Sequence, residues 1–457
     1  MLGLMIACWL SFALLSTASA QPSAETLAEK AFALLQGDPA RRREAIQALI
    51  DSKRADAAPF LILALRFSQR EPGSEIVQAL EMLTGARPGG RWSDWMLWQE
   101  AHPEIGVMPG FGMYQARLYD LIDPNFQYFL SGMEKHDIRL EEITWGGVLK
   151  DGIPALTHPK LIPAAEATYL DAGDLVFGIE INGDVRAYPL RIMDWHEMFN
   201  DVVGGVPVSL AYCTLCGSGI LYETTVRGWP EPIIFGSSGF LYRSNKLMYD
   251  TATHSLWNQF TGRPVVGSLT GSGIVLATRP VAITRWSDWK ALHPAGKVLA
   301  LDTGHPRDYS AGAAYGQYFA SPELMFPTIV DTTKLRPKDY VFVLRSAAVE
   351  KAWPLRLFEG GAVINDRAGV LDLVLIGNAA TRTVRAYRSQ GLNFEHVQSP
   401  NQVKHGAELW QIREDALVAP DGRALPRLPG HIAYWFAWSG YFGRDGELAD
   451  SAPAARR

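Results

Sequence analysis

Cysteine is scarce in this chain, with 3 residues in 457. One of them, Cys8, lies in an apolar leader, so a processed form would own only Cys213 and Cys216. Blocks of one charge are missing as well. The formal net charge is −5 and no Lys/Arg run stands out, so nucleic acid and anionic membrane surfaces find no support as partners. Past the leader no apolar run is long enough to cross a bilayer, which argues against a transmembrane span in the mature chain. Gly236-Ser237-Ser238-Gly239 reads as a flexible turn, but no helix with a Lys-Ser/Thr signature follows it, so a phosphate cradle is poorly supported.

What the sequence does contain begins with that leader. Residues 1–20 carry no charge and end in Ala18-Ser19-Ala20, a small-x-small pattern before Gln21. They read as a secretory signal peptide, although no Lys or Arg opens it; an uncleaved anchor is the alternative. A lipoprotein site at Cys8 has too little apolar chain before it. Export implies a periplasmic or extracellular protein, in a space where a thiol pair is oxidised or metallated.

The length predicts several units, at roughly 150 residues per domain. Residues 24–86, within a first helical unit taken as 21–110, are rich in Ala, Leu, Glu and Arg, with apolar residues at helical spacing and breaks at Gly37-Asp38 and Asp51-Ser52. Short paired helices of this kind look like HEAT-type repeats, a docking surface for a protein partner. Residues 111–165 connect them to a region of β character. Arg-Trp-Ser-Asp-Trp occurs twice, at 91–95 and 285–289, and its Trp pairs at i, i+3 predict aromatic plugs against a core. Asn182-Gly183 between two apolar runs predicts a hairpin.

A second repeat is longer. Shifting the chain by 165 positions lays 174–213 on 339–378 without gaps, with Asp174, Val176, Phe177, Ala187, Pro189, Leu190, Arg191, Asn200, Asp201, Gly204 and Leu210 identical in both. This predicts an α+β fold: N-terminal helical repeats, then a tandemly duplicated β-rich domain with copy one at 166–300, copy two at 335–445 and a tail at 446–457. Positions shared by both copies are explained by fold, Asn200-Asp201 and Asn365-Asp366 as a hydrogen-bonding turn. Positions that differ carry the chemistry. Trp195-His196-Glu197 faces Gly360-Gly361-Ala362, Cys213 faces Asn378 and Cys216 faces Thr381, so copy two looks degenerate.

Cys213-Thr-Leu-Cys216-Gly follows an apolar strand rather than opening a helix, unlike a thioredoxin-type pair. It looks like the knuckle of a zinc-ribbon site, which supplies two of four ligands. His196 is then the first further ligand and His254 another; Glu197 would orient His196 or move protons. Thiolates favour zinc, copper or iron, undecided among them. Met248 as a soft ligand is weaker, since a lone Met is usually core. Zinc deaminases are excluded, because His196 and Glu197 are adjacent and Tyr212 precedes the first cysteine. Arg243, Asp250, His254 and Trp257 belong either to an ordinary hairpin or to a wall of the thiol site.

The blocks "RAYPLRIMDWHEMFNDVVGGVPVSLAYCTLCGSGILYE", "SGFLYRSNKLMYD", "SLWNQFTG" and "HIAYWFAW" occur in order and together resemble the bacterial family known as domain of unknown function 3179, over about 140–445. The family's His-Glu and Cys-x-x-Cys-Gly blocks fall here on His196, Glu197, Cys213 and Cys216. The chain departs from the family at Gly443-Arg444-Asp445, where members continue with Pro-Asp-Thr. The resemblance implies no activity. The expectation is therefore an exported protein that binds a transition metal through Cys213, Cys216 and His196. Two alternatives stay open: thiol–disulfide redox chemistry by the same pair with no metal, or an envelope scaffold with an inert disulfide.

Overall fold

The structure is a computed structural model that describes residues 22–68, 70–346, 349–442 and 446–449. The leader at 1–20, Gly443-Arg444-Asp445 and most of the tail lie outside the described residues. Among the described residues no helix is long and apolar enough to cross a membrane. The fold is mixed α+β, with helices first and several sheets after them.

The helices Ala24–Ala31, Pro39–Asp51, Ala58–Phe67 and Arg70–Thr84 follow the apolar spacing of the sequence. Ser23 and Asp38 cap the first two through side-chain oxygens, satisfying N–H groups that no helical carbonyl reaches. Trp92–Ala101 and Phe111–Asp120 extend the layer. Its core does not close on itself: Phe60, Tyr114 and Tyr119 share a cluster with Phe240, Leu247 and Val266 from later strands.

Two four-strand arrangements repeat each other. In one, Leu175–Ile181 pairs antiparallel with Asp184–Pro189 and Ala282–Arg285, and Lys297–Leu299 runs parallel to Asp184–Pro189. In the other, Tyr340–Ser346, Val349–Pro354, His431–Tyr434 and Glu447–Leu448 take the same places with the same senses. The turn of the first hairpin is Asn182-Gly183, both at positive φ (50° and 78°), as an Asn-Gly hairpin requires. A tryptophan helix follows each outer strand, Trp286–Leu292 and Trp435–Phe442, and in each the first Trp N–H bonds the carbonyl of Asp174 or Asp339 (2.7 and 2.8 Å). Trp286, Trp289, Trp435 and Trp438 are buried plugs. The two halves bury one core in common, in which Phe177 and Tyr188 meet Phe342 and Trp353.

Asn200-Asp201 and Asn365-Asp366 are strand residues and not a turn. Each Asn reaches across to a neighbouring strand or loop. Asn200 Nδ2 donates to Phe235 O and its Oδ1 accepts from Phe235 N (both 2.9 Å); Asn365 does the same to Phe394 (2.8 and 2.7 Å). Each Asp accepts from an aromatic donor, Tyr188 OH (2.9 Å) or Trp353 Nε1 (2.7 Å). Gly236-Ser237-Ser238-Gly239 is likewise strand, inside Phe235–Tyr242. Gly236 is there for close approach, since a Cβ would stand 2.5 Å from Tyr249 Cε1.

Candidate functional site

The strand Val206–Cys213 turns back into Ser218–Glu223, and both cysteines sit at that turn. Gly217 completes it at φ +59, where a Cβ would also press on the Tyr434 ring at 3.0 Å. Cys213 and Cys216 are joined in a disulfide and are 2% and 0% exposed. The Cys216 carbonyl accepts from Tyr434 N (2.8 Å), so the closing "HIAYWFAW" block packs directly on the cysteine turn.

Glu197 ends the helix Leu190–His196 in the left-handed region (φ 55°), a strained state for a residue with a β-carbon. Its buried carboxylate gathers three donors. Lys246 Nζ lies 3.0 Å from Oε2; Thr214 Oγ1 (2.7 Å) and Tyr315 OH (3.2 Å) donate to Oε1. Lys246 is itself buried, so the ion pair is screened from water on both sides. Tyr315 also holds a positive φ (56°), and burial raises its hydroxyl pKa far above the ordinary value. Two strained non-glycine residues thus meet at one carboxylate, the kind of clustering that marks functional sites. Cys213, Glu197, Lys246 and Tyr315 line one cavity of about 40 Å³.

One turn back along the helix, Asp194 is buried and accepts from Tyr212 OH (2.9 Å). Burial pushes its carboxyl up to about 7; the Tyr212 bond opposes this and the nearby Glu197 charge adds to it. Cys216 Sγ lies 3.6 Å from the Ser244 carbonyl, an acceptor for this sulfur once it carries a hydrogen.

The expected metal site is not built, and the metal-binding reading is overturned. Both sulfurs are spent on each other. His196 is adjacent to Glu197 but faces the opposite way: Nδ1 donates to Pro154 O (2.8 Å) and Nε2 accepts from Tyr309 OH (2.6 Å), leaving no nitrogen for a metal. Burial lowers its pKa to about 4, so the ring is neutral. His254 sits in a turn at φ 57°, stacked on Tyr128 and Tyr249 with centroids 4.9 and 5.9 Å away. Among the described residues no three His, Cys, Asp or Glu side chains come together as ligands. Met248 is core.

Sequence reasoning missed Lys246, Thr214 and Tyr315. Lys246 lies in the strand Asn245–Asp250, which is buried along its whole length, and is the only Lys between Lys160 and Lys290. A lone cation in such a strand is the signal that pointed to a buried partner. Tyr315 lies some 100 residues from the cysteines in a loop with no pattern to read. A family model described as a protein of unknown function (DUF3179) matches residues 150–445. No curated protein and no solved structure matches the chain.

Proposed function

The chain belongs to the DUF3179 family, and we propose that Cys213–Cys216 is a thiol–disulfide redox centre whose charge and proton are handled by Lys246 and Glu197. The observation that carries this reading is the shared cavity: a disulfide, a buried ammonium and a buried carboxylate all reach one small space. The electron donor is a low-molecular-weight thiol. A cavity of about 40 Å³ admits a thiol group and not a folded partner. The incoming thiol gives its proton to Glu197 and attacks Cys213 Sγ. The S–S bond breaks, a mixed disulfide forms, and Cys216 leaves as a thiolate that takes over the proton from Glu197 and then donates to the Ser244 carbonyl. A second thiol gives its proton to the freed Glu197 carboxylate and releases the small-molecule disulfide, and Cys213 remains as a thiolate favoured by Lys246, with the proton on Glu197, or takes that proton as a thiol. Two electrons and two protons enter the protein, and two thiols become one disulfide.

A staple is a poor account of the pair. Closing a loop this short restricts the unfolded chain by only about 2 kcal/mol. The proposal extends to an exported protein cleaved after Ala20, in a periplasmic or extracellular space that keeps the pair oxidised. It also takes the two β-rich halves as a tandem duplication, supported by their matching strand senses, Asn–Phe clasps and tryptophan helices. The N-terminal helices are proposed as HEAT-like repeats offering a partner surface, supported by the packing of Ala58–Phe67 on Arg70–Thr84.

The test is equilibration of the purified chain in glutathione buffers, with thiols counted by alkylation and mass. Reversible gain of two thiols in the folded protein is expected. The double variant Glu197→Ala/Lys246→Asn should slow the exchange about ten-fold by removing thiolate stabilisation. A pair that stays oxidised until the protein unfolds sinks the proposal.

A further inference from the structure

The second half holds a larger cavity in the place of the first. Strand register fixes the correspondence. Met248 pairs with Ser237 on one side and Trp257 on the other; Val403 pairs with His396 and Trp410 in the same way. Two residues before these, Lys246 stands in its strand next to a register shift and Asn401 stands just ahead of the strand Gln402–His405, and the two take corresponding places. The 165-residue shift sets Ala362 for Glu197, Asn378 for Cys213 and Thr381 for Cys216. Ala362, Asn378, Thr381, His396 and Asn401 all line one cavity, of about 340 Å³ against about 40 Å³ in the first half. The ion pair and the disulfide that fill the first site are replaced by smaller or neutral groups, and the space opens.

We propose that this cavity binds a small uncharged molecule with an aliphatic body and a hydroxyl or amide head. Its volume falls in the range of small-molecule sites, about 300–1,000 Å³. Its walls are short on usable charge. Arg385 is engaged by Glu414 through Nε and Nη2 (2.9 and 2.5 Å), and Asp288 stands exposed at the rim. The polar groups that remain include the Asn378, Asn401 and Gln402 amides, the Thr381, Thr383 and Ser399 hydroxyls and the His396 imidazole; Val363, Ile376 and Ile412 give an aliphatic wall. No Phe, Tyr or Trp lines it, so a stacking platform for a base or a sugar is lacking among the described residues. Gly361 opens the mouth. Its φ is +88°, and Asn378 Nδ2 and His396 Nε2 both come within 3.9 Å of the empty Cβ position, so two polar groups converge on space that no side chain occupies.

The test is a fragment screen on the full chain by saturation-transfer NMR, with equal sets of neutral, anionic and cationic fragments. Neutral fragments carrying an amide or hydroxyl are expected to dominate the hits, and their binding should weaken about ten-fold or more in Ala362→Trp, which fills the cavity. Gln402→Ala, at a half-buried side chain, should weaken the same hits if Ala362→Trp fails to fold. Hits that are mainly charged, hits unmoved by the variant that folds, or no hits at all overturn the proposal.

Discussion

The two β-rich halves share a framework and differ in chemistry. Each clasps a phenylalanine backbone with an asparagine, each ties an Asp to a buried aromatic donor, and each plugs its sheet with a tryptophan helix. In the first half, one helix end and one hairpin add Asp194, Glu197 and Lys246 to the interior beside a disulfide. In the second, the corresponding residues are the exposed Glu359, then Ala362 and Asn401. The second half buries its charge elsewhere, in Glu414 held by Arg385 and Arg427. The same strand framework therefore occurs with and without the ionic site, and the backbone differs where that site is built: an α-helix ending at Glu197 in the first half, a short 3-10 turn followed by Gly360-Gly361 in the second.

The sharpest way to break that comparison is to remove one partner of the first half's ion pair. Lys246→Met leaves the Glu197 carboxylate buried with only two hydroxyl donors, and a loss of about 3–5 kcal/mol is expected in urea unfolding. Glu197→Ala/Lys246→Asn installs the second half's residues and should restore most of it, because no unpaired charge remains. If the double variant is no more stable than the single one, the pair is framework after all.

Proton linkage offers the next largest effect. Burial holds the Asp194 carboxyl at about 7, above its ordinary 3.8, so the folded state keeps a proton that the unfolded chain gives up. Its contribution is full below about pH 4 and is lost as pH rises through 7. Burial drives His196 the other way, from 6.5 to about 4, so its contribution is full above 6.5 and is lost as pH falls through 4. Between these limits the two oppose each other, each by roughly 2–3 kcal/mol. Relative to the parent, Asp194→Asn should gain stability as pH rises from 4 to 6.5, and His196→Gln should lose it. Glu359→Gln, at the exposed counterpart of Asp194, is the control.

The framework prediction is smaller and symmetric. Asn200→Ala and Asn365→Ala each strip Phe235 or Phe394 of two backbone partners, and each should cost about 2 kcal/mol, Asn200 the more because it is fully buried. A large difference between them, measured by thermal unfolding, would show that the two clasps are not equivalent.

Much of the framework was legible because it obeys local rules. Asn182-Gly183 named its hairpin, the Trp pairs named their plugs, and the internal match fell on two antiparallel hairpins, Leu175–Ile181 with Asp184–Pro189 and Tyr340–Ser346 with Val349–Pro354. Asn200-Asp201 misled because the same residue types serve turns and cross-strand clasps, and only pairing distinguishes them. Gly236 and Gly239 misled because glycine marks close approach as well as a bend. At the site, Glu197 and the cysteines stood out by their absence from the matching positions of the second half, whereas His196 stood out for the same reason and proved to face away. Adjacent residues at a helix end point in divergent directions, and sequence spacing alone does not say which one faces the thiols. Lys246 and Tyr315 reach Glu197 through tertiary packing that no local pattern encodes.

The smallest stability effect is expected where the chemistry is concentrated. Cys213→Asn/Cys216→Thr places the second half's residues at the turn. The second half shows that Asn378 and Thr381 serve such a turn: Asn378 Oδ1 accepts from Ala380 N (2.9 Å) and Thr381 Oγ1 donates to Thr383 Oγ1 (2.8 Å). The cost should stay below about 2 kcal/mol, the restriction that so short a loop places on the unfolded chain. Thiol exchange, by contrast, should vanish. Unfolding and thiol counts on one preparation separate the two quantities. Near-wild-type stability with no exchange identifies the pair as chemistry carried on a fold that does not depend on it, whereas collapse of the fold would make the disulfide a staple and return the two halves to equal standing.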